Sequence, residues 1–75
     1  MADSKKPLYP NIEAERARNN ETDMDVARVL GMSRQSYQSR KYGQSKFYKD
    51  EIDVLCEHFG KSYEYLFSEA PQKEV

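Results

Sequence analysis

From Val26 to Lys49 the sequence carries six basic residues, Arg28, Arg34, Arg40, Lys41, Lys46 and Lys49, and no acidic one. All 13 carboxylates fall outside that stretch, so a net charge of -1 conceals a strong separation of sign. Exposed charges more than roughly 8 Å apart are largely screened at physiological salt, so a polyanion feels this block and not the average. Within it, Arg34 to Tyr42 reads as a hydrophilic helix on which Gln35, Ser39 and Tyr42 stack at i, i+4 and i+7, with Gln38 beside them. If Tyr37 faces inward, its neighbours at about 100° per residue are Arg34, Arg40 and Lys41, none of them apolar. Such a helix lacks the apolar stripe, about 100° wide or more, that a core helix needs. On periodicity alone it could be a solvated surface helix. It also suits a groove with phosphate walls and a floor of donors and acceptors. The major groove, roughly 12 Å wide, admits one helix, and the predicted segment is about 13 Å long.

The elements that must hold this helix are legible from caps and apolar spacing. Residues 1–10 read as a flexible N-terminal arm, with Lys5 and Lys6 ahead of Pro7 and Pro10. Asn11 is the expected N-cap of a first helix over Ile12 to Asn19, burying Ile12 and Ala17, with Ala14 as a further candidate. Thr22 opens a second helix, with Asp25 as its capping-box partner and Val26, Ala27, Val29 and Leu30 as its apolar side. Gly31 ends it in the left-handed conformation. Ser33 caps the polar third helix, which stops at Gly43. A fourth helix over Lys49 to His58 shows Ile52, Leu55, Cys56 and Phe59 at i, i+3, i+4 and i+7. Ser62 caps a short fifth helix carrying Tyr63, Tyr65, Leu66 and Phe67. Residues 11–68 form one all-α domain on this reading, and 69–75 a flexible tail.

Short helix, glycine turn and polar helix is the architecture of DNA recognition. Ala27 stands four residues before Gly31 and allows a close helix crossing. Tyr37 stands six after it as the anchor, and Val26, Leu30 and Met32 fill the corner. The stretch Thr22 to Tyr37, TDMDVARVLGMSRQSY, resembles the helix-turn-helix of the lambda-repressor-like family, which includes phage repressors, Cro proteins and xenobiotic-response-element regulators. Gly43, the Ile52–Phe59 series and the Ser62–Phe67 ending resemble that family's fourth and fifth helices. The resemblance implies a compact five-helix bundle. It also implies base-edge contacts from Arg34, Gln35 and Ser39, with Gln38 as a further candidate. Arg pairs bidentately with guanine and Gln with adenine. Contacts to the DNA backbone are expected from Ser33, Arg40, Lys41, Tyr42, Gln44, Ser45 and Lys46, together with the amides at the start of the third helix. Three positions depart from the family pattern: Asp23 replaces the usual Gln, Glu21 an apolar residue, and Arg40 a second apolar anchor.

Other chemistry finds little support. A lone Cys56 and a lone His58 cannot supply a four-ligand zinc site. His58 has only Glu57 and Asp53 within useful sequence spacing, and the glycines are dispersed, so no catalytic residues, cofactor, metal or small-molecule ligand are expected. No apolar run approaches the roughly 20 residues of a membrane span. The expected protein is a non-enzymatic regulator in the bacterial cytosol or a phage-infected host, with double-stranded DNA as its partner. The rings of Phe47, Tyr48, Phe59, Tyr63, Tyr65 and Phe67 exceed what a small core hides, which suggests a homodimer through helices 4 and 5 near Val54. The rival is a protein-interaction module on the same fold, of antirepressor or toxin-partner type.

Overall fold

A computed structural model describes residues 6–69. The described chain contains five α-helices and no strand: α1 (Pro10–Arg18), α2 (Asp23–Leu30), α3 (Arg34–Lys41), α4 (Lys49–Phe59) and α5 (Tyr63–Leu66). None of them is long and apolar enough to cross a membrane. The core is Ile12, Val26, Ala27, Tyr37, Leu55, Phe59 and Leu66, ringed by Tyr9, Leu30, Met32, Phe47, Cys56, Tyr65 and Phe67. Each helix therefore sends at least one side chain to the same centre. Helix α2 packs on both α3 and α4, and α5 on both α1 and α4.

The caps explain most of the boundaries. Thr22 Oγ1 accepts from the Asp25 N–H (3.1 Å) while Asp25 Oδ2 accepts from the Thr22 N–H (2.9 Å), satisfying two orphan donors at the start of α2. Gly31 then adopts φ 72°, ψ 32°, a conformation costly for a residue with a Cβ. Ser33 and Ser62 accept from the N–H groups of Ser36 and Tyr65, so α3 and α5 start where expected. Helix α3 runs to Lys41 with Tyr42 as its C-cap, and α4 extends one residue further than expected, to Phe59.

Helix α1 departs from the sequence reading. It begins at Pro10, with Tyr9 as N-cap, because proline has no N–H to leave unsatisfied and its φ is already helical. Asn11 is not the cap. It is buried and its Nδ2 donates to the Tyr65 carbonyl at 2.8 Å, tying α1 to α5. Ala14 and Ala17 face solvent, and Glu15 is buried instead. The geometry requires this, since Ala17 lies about 140° around the helix from Ile12 and Glu15 only about 60°. Glu15 is satisfied by the Tyr65 hydroxyl, which donates to it at 2.9 Å. Val29, expected inside, is 39% exposed on the flank of α2.

Part of the expected arm belongs to the folded body. The Leu8 N–H donates to the Lys41 carbonyl at 2.9 Å, and the Tyr9 ring packs against Phe47 and Phe67. Gly43 (φ 83°) faces the Leu8 side chain so closely that an added Cβ would stand 3.1 Å from Leu8 Cδ2. Residues 1–5, including Lys5, and the tail 70–75 lie outside the described residues.

Candidate nucleic-acid interface

Helix α3 buries one side chain, Tyr37, which is 0% exposed. Its opposite side forms a shallow concavity lined by Gln35, Gln38, Ser39, Tyr42 and Gln44, with no carboxylate among them. Gln35 is exposed, and Gln38, Ser39 and Tyr42 are half-buried. Arg34, at the N-terminus of α3, borders a second concavity with Arg16, Thr22, Asp23 and Met24. The segment after α3 folds back on it. Gln44 N–H and Ser45 N–H both donate to the Ser39 carbonyl, and the Ser39 and Ser45 hydroxyls lie 2.9 Å apart. These contacts fix Gln44 and Ser45 beside the helix face. Lys46 follows immediately and is exposed.

The cations expected beside Tyr37 are neutralised within the fold. Lys41 Nζ, on a side chain only 9% exposed, lies 3.1 Å from both oxygens of Asp23 and 3.2 Å from Glu13 Oε1. Arg40 Nε donates to Glu51 Oε1 at 3.0 Å, and its Nη1 to the Ser36 carbonyl at 3.2 Å. The acid-free block of the sequence is thus not acid-free in space. Arg40 and Lys41 were expected to clamp phosphates, but here they hold α3 in place through carboxylates from α1, α2 and α4. Arg34 and Lys46 have no carboxylate partner among the described residues and are exposed, one at the start of α3 and one in the segment that follows it. Ser33 is occupied as a cap, donating to Ser36 Oγ and accepting from the Ser36 N–H, both at 3.1 Å.

Asp23 is the junction of this lattice. It accepts from Gln38 Nε2 (2.9 Å) and Lys41, and pairs with Arg16 Nε at 3.5 Å. Burial pushes its carboxyl pKa up, but the hydrogen bonds from Gln38 and Lys41 and their positive surroundings outweigh that. The net pKa is lowered. Arg16 also donates to Glu13 and to the Glu21 carbonyl, so it bridges α1 to the start of α2. The Tyr37 hydroxyl is buried beneath these charges without a hydrogen-bond partner among the described residues. Burial, then the nearby Glu13 and Asp23, raise its phenol pKa far above the ordinary value, so it stays neutral.

Sequence reasoning missed a second long-range pair. His58 has an acidic companion after all: its Nε2 lies 2.7 Å from Glu21 Oε2, across 37 residues of chain. The contact occupies Oε2 of Glu21, while Oε1 of the same carboxylate is buried without a hydrogen-bond partner among the described residues. Among the aromatics, Phe59 is buried and Phe47, Tyr65 and Phe67 are half-buried, while Tyr48 and Tyr63 are 64% and 54% exposed. The Tyr63 and Phe67 rings stack at 5.4 Å, and Val54 is half-buried on α4.

No family model matches the chain. Over 53 residues, 71% of its length, the chain is 34% identical to Antitoxin PezA of Streptococcus pneumoniae serotype 4. It spans only about a third of that protein (34%).

Proposed function

We propose that this chain is a sequence-specific DNA-binding regulator of the lambda-repressor-like type, with α2, the Gly31 turn and α3 as its helix-turn-helix. One observation carries the reading. Helix α3 is anchored by a single buried aromatic and turns a carboxylate-free, amide- and hydroxyl-rich concavity to solvent, while Arg34 at the start of the helix and Lys46 in the segment after it are exposed. That combination supplies donors and acceptors for base edges and positive charge for phosphates. In this reading Arg34, Gln35, Gln38 and Ser39 face bases. Tyr42, Gln44, Ser45, Lys46 and the amides after Ser33 face the sugar-phosphate backbone. One domain reads about half a site, so two copies would bind half-sites roughly 34 Å apart, joined through α4 and α5 near Tyr48, Val54 and Tyr63.

The identity to an antitoxin supports a regulatory, non-catalytic protein and also favours a second reading, a protein-interaction module of toxin-partner type. The inward commitment of Arg40 and Lys41 lends that rival weight, because it removes two charges from the polyanion-facing side. Salt titration separates the two. Selection from random duplexes followed by anisotropy titrations should give a consensus and an affinity that falls steeply with salt. No consensus, together with salt-insensitive binding of a protein partner, would establish the rival.

A further inference from the structure

Asp23 stands where a phosphate is expected to approach the start of α2, yet its charge is directed inward. Its oxygens are taken by Lys41, Gln38 and Arg16, and its side chain is only 16% exposed. A carboxylate only accepts hydrogen bonds. Gln38 therefore has no choice of orientation: its Nε2 must face Asp23, 2.9 Å away, and its carbonyl Oε1 must turn elsewhere. An amide at position 23 could donate or accept, which would leave Gln38 free to sit either way round. Gln38 also lines the concavity shared by Gln35, Ser39, Tyr42 and Gln44, so the orientation set by Asp23 decides what this surface offers.

We infer that Asp23 is a positioning residue for specificity: by holding Gln38 through its N–H, it presents Oε1 of Gln38 as a hydrogen-bond acceptor for the exocyclic amino group of adenine or cytosine. The inference rests on the DNA-binding reading above and refines it at one base position. Thymine and guanine offer acceptors at the corresponding major-groove edge, so they would face Oε1 acceptor to acceptor. The remaining charges around Asp23 reinforce the arrangement, because Lys41 and Arg16 keep the carboxylate ionised and fixed.

The test is duplex selection with the full chain, followed by affinities for single-base variants. The unmutated protein should prefer an amino-bearing base at one position, roughly five- to tenfold over the others, as expected for one hydrogen bond. Gln38→Ala and Asp23→Ala should each bring that ratio towards one. The double variant should lose nothing more, and the preference that depends on Gln35 should persist in all three. Asp23→Asn, which keeps an acceptor for Gln38, should retain part of the ratio. A preference that survives Asp23→Ala, or guanine or thymine at the Gln38-dependent position, overturns the inference and leaves the DNA reading intact. Absence of any consensus for the unmutated protein overturns both. Should Asp23→Ala not fold, the unmutated protein still decides. A Gln38 side-chain amide proton resonance must shift as the Asp23 carboxyl titrates in acid, and an unresponsive resonance refutes the contact.

Discussion

The ammonium of Lys41 lies 3.1 Å from each oxygen of Asp23, across 18 residues of chain, on a side chain that is only 9% exposed. This contact engages Lys41 within the fold, at a position the sequence reading assigned to a phosphate. Truncating its charge with Lys41→Met keeps the stem packed but leaves Asp23 and Glu13 short of a partner. A loss of about 2–4 kcal/mol in urea denaturation is expected, since removing one member of a largely buried pair strands the other. The salt slope of duplex binding should stay within error of the unmutated protein. A slope flattened by a full unit would instead make Lys41 a phosphate contact.

Lys46 is the contrasting case, being exposed and without an internal carboxylate partner among the described residues. Lys46→Ala should weaken binding to all duplexes alike and flatten the salt slope by about one unit, with little change in stability. Gln35→Ala should cost about 1–3 kcal/mol on the preferred duplex and relax selectivity at one position. Uniform losses on every sequence from Gln35→Ala would contradict its assignment to a base edge.

Acid should expose the Asp23 lattice. Because the folded-state pKa of Asp23 lies below its unfolded value, its contribution is fully present above the ordinary carboxylate range and is lost as pH falls through the folded value. Denaturation midpoints followed from about pH 6 to about pH 3 should therefore fall more steeply for the unmutated protein than for Asp23→Ala. Parallel curves would mean the carboxylate is no better stabilised in the fold than in the unfolded chain.

Tyr37 offers a test of packing against polarity. Its ring is wholly buried, whereas its hydroxyl has no hydrogen-bond partner among the described residues. Tyr37→Phe should leave stability unchanged or raise it by up to about 1 kcal/mol, because the desolvated group gains nothing where it sits. Tyr37→Ala should cost about 3–5 kcal/mol, removing the one side chain that anchors α3 in the core. Thermal melts of the two variants suffice. A large loss in Tyr37→Phe would reveal a buried hydrogen bond to that hydroxyl.

Local chemistry made much of this fold readable. Thr22 with Asp25, Gly31, Ser33 and Ser62 mark helix ends through groups only a few residues apart, and Tyr37 stands out as the lone large apolar side chain of α3. The same local vision failed on α1, where Asn11 and Glu15 are buried because Tyr65 lies over them, and nothing near positions 11–15 announces a partner 50 residues away. It failed again on charge. Counting signs along the chain separates Lys41 from Asp23 and Arg40 from Glu51, whereas folding unites them. At the candidate site, the polar character of Gln35, Gln38 and Ser39 was visible in the sequence. Which cations remain free to meet a ligand was not.

The seam between Leu8 and the end of α3 has a practical corollary. Since the Leu8 amide supplies a bond to the Lys41 carbonyl and its side chain lies over Gly43, shortening the protein past position 8 would uncap the last turn of α3. Amide exchange at Gly43 to Ser45 would quicken, and Gln44 and Ser45 would lose their fixed place beside Ser39. Any expression design should accordingly start upstream of Pro7, and an affinity handle fused there needs a spacer that leaves this stitch undisturbed.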